Sequence, residues 1–222
     1  MNVKMKQKEV FLDGEGDAWF ERNHDAIQRR EFDQDAVVRA IARCFSTSCL
    51  SDPRQTKLLE IGCSDGKRLK YLSRNMGLTC YGIEPSAMAV ALAQKDGLAV
   101  IQGTADSLPY ENQTFDLVVF GFCLYLCDRE DLFCIAQEAD RVLKSTGWLV
   151  IQDFYSNTPT SNEYHHRSGL FAYKLDYRRL FDWHPDYTCM SHEVIAHGLD
   201  EFTDNRNEWV ATSVLRKKSG HE

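Results

Sequence analysis

The stretch "LLEIGCSDGKRLKYL", residues 58–72, runs through apolar residues to an acid, turns through two glycines, and resumes at helical spacing. An apolar run ending at Glu60, then Gly62 and Gly66, reads as a buried strand, a sharp turn and a helix. The turn has the pattern G-x-x-x-G. It is not the G-x-G-x-x-G of a dinucleotide site, and Gly66-Lys67 leads to Arg68 rather than to the Ser/Thr of a phosphate-binding loop. Two acids, Glu60 and Asp65, flank the glycines. That pair repels a diphosphate and attracts a ligand carrying a sulfonium and an ammonium group.

Outward from this turn the pattern alternates. Strands are predicted at 57–61, 79–83, 98–102, 115–121 and 148–154, with helices at 66–75, 86–95 and 129–144 between them. Continuously apolar strands separated by amphipathic helices imply a parallel sheet covered on both faces. Upstream, 13–49 reads as helical, with Val37, Val38, Ile41, Ala42 and Phe45 on one face. Downstream, 155–185 reads as irregular. "YTCMSHEVIA" and "EWVATSVLRK" then read as two strands joined by a short loop, which pair antiparallel. The expected fold is α/β: a doubly wound, Rossmann-like, seven-stranded sheet, mostly parallel, with a C-terminal antiparallel hairpin strand and an N-terminal helical lid. One domain over 1–222 is expected, with a helical cap at 1–50, a cofactor-binding core at 55–154, and an acceptor-side segment and terminal hairpin at 155–222.

Ligands of such sheets sit at the carboxyl ends of the strands. There "LLEIGCSDG" resembles motif I of the class I S-adenosylmethionine-dependent methyltransferases, written E/D-x-G-x-G-x-G, with Ser64 in place of the middle glycine. The resemblance covers roughly 55–154 and includes the methyltransferase type 11/12 branch. It implies S-adenosylmethionine as cofactor, held at the first turn by Glu60, Gly62, Cys63, Ser64, Asp65 and Gly66. Glu84 in "YGIEPS", followed by Pro85, falls where the family places a carboxylate on the ribose hydroxyls. An ionised carboxylate can accept from two adjacent hydroxyls at once. Asp106, between Ala105 and Ser107, falls where an acid accepts from the adenine amino group. Gly121 and Phe122 fall in the turn that floors the methyl donor.

The acceptor side is expected from the N-terminal helix, the turn after the fourth strand and the segment after the fifth. Trp19 and Phe20 are adjacent and diverge by about 100° on a helix, so one of them is free to cover the cofactor, with Arg22 beside it. His165 and His166 in "SNEYHHRSGLFAYK" are candidate bases, since an unperturbed imidazole titrates nearest neutrality. Asp153 and Tyr155 are candidates for orienting the acceptor. The segment 173–187, rich in aromatics and arginine, reads either as a stacking platform for a sugar or as an amphipathic cover helix with Leu175, Leu180 and Phe181 inward.

A formal net charge of −7, with 43% hydrophobic and 27% charged residues, is that of a globular protein and argues against a general nucleic-acid binder. No secretory segment and no membrane-spanning run is read, and eight scattered cysteines suggest reduced thiols, so a cytoplasmic location is expected without a metal site. The expected activity is methyl transfer to a small polar acceptor, with O-methylation of a sugar, nucleotide-sugar or related metabolite foremost. The expected partners are that small molecule alone, with no nucleic acid and no membrane, for a monomer or homodimer. The alternatives are a non-catalytic S-adenosylmethionine-binding scaffold, or methylation of RNA or protein.

Overall fold

The computed structural model describes residues 6–45, 50 and 52–218. A seven-stranded sheet has the order β3-β2-β1-β4-β5-β9-β8. It comprises β1 (Lys57–Ile61), β2 (Thr79–Glu84), β3 (Ala99–Gln102), β4 (Phe115–Gly121), β5 (Leu143–Phe154), β8 (Tyr187–Ala196) and β9 (Trp209–Lys217). The pairs among β1–β5 are parallel, and β9 joins β5 and β8 antiparallel. The helices are α1 (Gln7–Val10), α2 (Gly16–Gln28), α3 (Ala36–Phe45), α4 (Lys67–Met76), α5 (Ala87–Lys95) and α6 (Leu132–Val142).

Alternation within the strands builds two cores. Leu59, Ile61, Val118, Phe120, Leu149 and Ile151 face α6, while Leu58, Leu117, Val119 and Val150 face α3 and α4. Both faces are therefore dry, which is why the central runs 58–59, 117–120 and 148–151 of these strands are apolar throughout. Strand order reverses between β1 and β4, and a crevice opens there.

The structure amends four expectations. Helix begins at Gln7 and bends at Asp13–Gly14, where Gly14 takes φ +123°. A gap then separates α2 from α3, and residues 46–49 of the expected helix lie outside the described ones. The helix expected to reach 144 stops at Val142, and β5 starts at Leu143, which pairs with Phe115 before a register shift that leads to Trp148 opposite Leu117. Within 155–185 a separate antiparallel hairpin forms from β6 (Thr160–Glu163) and β7 (Phe171–Lys174). After it a single 3-10 turn, Tyr177–Phe181, replaces the cover helix.

Candidate functional site

At the carboxyl end of β1 the chain turns at Gly62 with φ +77°. A Cβ there would stand 2.7 Å from the Cβ of Cys123, so only glycine lets the β1 and β4 turns approach. Ser64 also takes a positive φ, +52°. This turn floors a cavity enclosing about 1210 Å³ of empty space, part of it open to solvent, which is room for a nucleoside-sized ligand. The N-terminal helices close it from above: Gly16 packs so tightly on Pro85 and Ser86 that a Cβ would meet the Ser86 backbone nitrogen at 3.0 Å.

Three acids stand at three strand tips. Glu60, at the end of β1, is 2% exposed and ion-paired with Arg68 of α4. Arg68 reaches Asp35 (3.3 Å), and Asp35 in turn holds Arg30 (2.6 Å). Burial works to lift Asp35, but the Arg68 and Arg30 guanidiniums hold its carboxyl below the usual range. Asp35 also caps α3, accepting from the backbone of Val37 and Val38. Burial raises Glu60, and its second oxygen, Oε2, is buried with no hydrogen-bond partner. A buried unpaired carboxylate oxygen is costly, and an ammonium group from the cavity would satisfy it.

Glu84 ends β2 with both oxygens engaged: Oε2 accepts from the Ser64 backbone (2.8 Å) and Oε1 from that of Ser86 (3.1 Å). Burial still pushes it up to about 7, against those two N–H groups. Each oxygen retains a lone pair, and Glu84 lines the cavity. Ser86 caps α5 and donates to Asp17 (2.6 Å), which fastens the lid to the cavity wall beside Glu84. The third acid, Asp106, follows β3. It accepts from Thr104 (2.7 Å) and is ion-paired with Lys8 of the N-terminal segment, and although burial works upward, these bonds keep it low.

Of the residues singled out in the sequence, Trp19, Glu60, Gly62, Cys63, Ser64, Asp65, Glu84, Pro85, Ala105, Asp106, Gly121 and Phe122 all line this one cavity. Trp19 is the outward member of its pair and donates to the Tyr125 hydroxyl (3.2 Å), whereas Phe20 is buried. Gly66 is the N-cap of α4 beneath the turn, and Ser107 is exposed; neither lines the cavity. Arg22 holds Glu15 and Tyr164, binding lid to hairpin.

The four residues proposed from sequence for the acceptor side do not reach the cavity wall. His165 and His166 sit exposed in the β6–β7 connection of a hairpin whose first strand, TSNE, gives no sequence signal. Asp153 is 2% exposed and accepts from the backbone of Leu124, Tyr125 and Phe154, so it shapes the turn after β4. Tyr155 packs between His192 and Trp209. Sequence reading missed Arg30, Asp35, Arg68 and Lys8. Arg68 meets Asp35 and Lys8 meets Asp106 from 33 and 98 residues away, and the nearer pairs, Arg30–Asp35 and Glu60–Arg68, stand at no helical or strand spacing.

Residues 59–151 match the family model described as a methyltransferase domain. A fatty-acid O-methyltransferase of Mycolicibacterium smegmatis is 29% identical over 113 residues, 49% of this chain and 40% of that protein. A sarcosine/dimethylglycine N-methyltransferase of Aphanothece halophytica is 30% identical over 128 residues, 54% of this chain and 45% of that protein. The chain thus spans under half the length of these two relatives. Among solved structures, the 1,6-didemethyltoxoflavin-N1-methyltransferase of Burkholderia thailandensis, with 1,6-didemethyltoxoflavin and S-adenosylhomocysteine bound, shares the fold. Its TM-score is 0.69 at 14% identity, covering 99% of this chain and 94% of that one. No helix among the described residues is long and apolar enough to cross a membrane.

Proposed function

We propose that this chain, which belongs to the class I methyltransferases through its domain at 59–151, is an enzyme that transfers a methyl group from S-adenosylmethionine to a small molecule. The observation that carries this reading is the unpartnered, buried Oε2 of Glu60 beside a second buried strand-tip acid, Glu84, in one cavity. When bound, S-adenosylmethionine supplies an electrophilic methyl carbon on a sulfonium. Glu60 accepts from the ammonium group and Arg30, which reaches the cavity from the lid side, pairs with the carboxylate of the same amino-acid end. Glu84 accepts from the two ribose hydroxyls. Asp106 accepts from the adenine amino group after exchanging its pairing with Lys8, and Ala105 packs beside the ring.

Lid closure by Trp19 and Gly16 removes water from the region above Gly62 and Gly121, so that the acceptor alone meets the methyl carbon. The two relatives named above are called an O- and an N-methyltransferase, which fits a small-molecule acceptor and leaves its heteroatom open. A sugar acceptor has weaker support: of the aromatics in 173–187 read as a stacking platform, Tyr177 is buried in the core, and Phe181 is inward as the cover-helix alternative had it. Titration calorimetry with S-adenosylhomocysteine, then methyl release over an acceptor library, tests the proposal. Micromolar binding with turnover on a small molecule supports it. Binding without turnover on any acceptor favours a cofactor-holding scaffold.

A further inference from the structure

With the adenosyl end on the β1–β2–β3 side of the crevice, an acceptor must approach over β4 and β5. Phe122 stands at that boundary. It lines the cavity, its N–H donates to the Gln152 carbonyl (2.9 Å), and it takes φ +61°, a conformation a phenylalanine adopts only when its surroundings impose it. Its ring meets Phe154 at 5.4 Å and His197 at 5.7 Å between centroids, and Phe154 meets His197 at 5.0 Å and Tyr125 at 5.1 Å. Four rings thus converge on one another; Phe122 is the one that lines the cavity, and Phe154, His197 and Tyr125 pack around it and each other.

His197 follows β8 and is exposed. Its backbone N–H is tied to the Glu208 carbonyl (2.7 Å), while among the described residues nothing hydrogen-bonds its ring nitrogens. Its imidazole is held by rings on one side and open on the other. The charged groups that act on it are Glu208 and Lys174, whose ammonium lies 4.9 Å over Phe154. Partial desolvation by the rings packed on its inner side, and the Lys174 ammonium, keep the imidazole below its ordinary value against the pull of Glu208, which favours the neutral, proton-accepting form.

We propose that Phe122, Phe154 and His197 form the acceptor subsite, that it takes a planar aromatic or heteroaromatic molecule bearing an ionisable O–H or N–H, and that His197 accepts that proton during methyl transfer. The inference rests on the function proposed above. In the step, a lone pair on the acceptor heteroatom forms a bond to the methyl carbon as the carbon–sulfur bond breaks. The sulfur leaves as a neutral thioether with the electron pair. The acceptor proton moves to the His197 ring, which returns it to solvent. An aromatic wall suits this chemistry because a flat ring stacks at little entropic cost and is aligned with the crevice.

The test uses the full chain with S-adenosylhomocysteine and the fluorescent planar phenol 7-hydroxycoumarin as probe, followed by turnover on the same phenol with S-adenosylmethionine. The wild type is expected to bind the probe saturably, and Phe122→Ala and the milder Phe122→Leu to weaken it roughly tenfold and less than tenfold respectively. His197→Gln is expected to leave probe affinity within about threefold but to lower turnover at least about 100-fold. It should also move to higher pH the rise in bound phenolate that the wild type shows. If S-adenosylhomocysteine binds while the probe does not, or while both sets of variants match the wild type, the subsite is overturned. If S-adenosylhomocysteine itself fails to bind, the function beneath the inference falls with it.

Discussion

Glu84→Gln changes one charge and almost no volume, which makes it a sharp probe of the cofactor side. In the free protein burial holds Glu84 up to about 7, so it is largely protonated below that pH, with Glu60 and Asp17 as the nearby acids that add to the effect. Ribose hydroxyls donate to the ionised carboxylate and so favour the charged form. Binding must then expel a proton whenever the free protein holds one: about 0.9 proton per cofactor at about pH 6. Affinity for S-adenosylhomocysteine should fall about 25-fold between about pH 7.5 and about pH 5.5. In Glu84→Gln that slope disappears. Affinity at the upper pH drops roughly 10- to 150-fold, the loss of a charged hydrogen-bond acceptor worth about 1.5–3 kcal/mol. Calorimetry in buffers of different ionisation enthalpy measures both the proton count and the affinity. A wild-type affinity flat across this range, or an equal slope in Glu84→Gln, refutes the assignment of Glu84 to the ribose.

Gly121→Ala would set a Cβ 2.6 Å from Glu60 Oε1 and 2.9 Å from Arg68 Nη1, inside a buried ion pair that cannot retreat into water. Denaturant unfolding should show a loss of about 3 kcal/mol or more, and a change below about 0.5 would contradict the close approach. Asp153 is raised to about 7 by burial, so between its unfolded value and that pH the folded state binds the extra proton and stability falls as pH rises. Relative to wild type, Asp153→Asn should therefore gain up to about 4 kcal/mol from acid to neutral pH in denaturant melts; a constant gap would show that Asp153 titrates normally. His165→Ala and His166→Ala, in an exposed hairpin turn, should leave turnover within about twofold, and a large drop in either would return that hairpin to the site.

The parts of the fold legible in the sequence are those where one physical signal dominates. β1 and β2 run apolar into their carboxyl ends, so the acids there stand out, and Glu60, Glu84 and the glycine turn fall together in the structure. The β6–β7 hairpin escaped because Thr160–Glu163 is exposed along its whole length and offers no alternation. The start of β5 escaped because "LKSTG" has turn chemistry, while Leu143 alone of it pairs with β4 ahead of a register shift. The Glu60–Arg68–Asp35–Arg30 chain joins residues whose only common property is where the fold delivers them. His197 resembled any loop histidine until the chain brought two phenylalanines against it.

The most direct measurement is a titration of the full chain with S-adenosylhomocysteine, repeated with a nicotinamide dinucleotide of similar size. One site per chain is expected for the first, with micromolar affinity weakened by removal of the Glu60 carboxylate, and no detectable heat for the second. A dinucleotide that bound while S-adenosylhomocysteine did not would mean that the buried acids at these strand tips serve some other ligand.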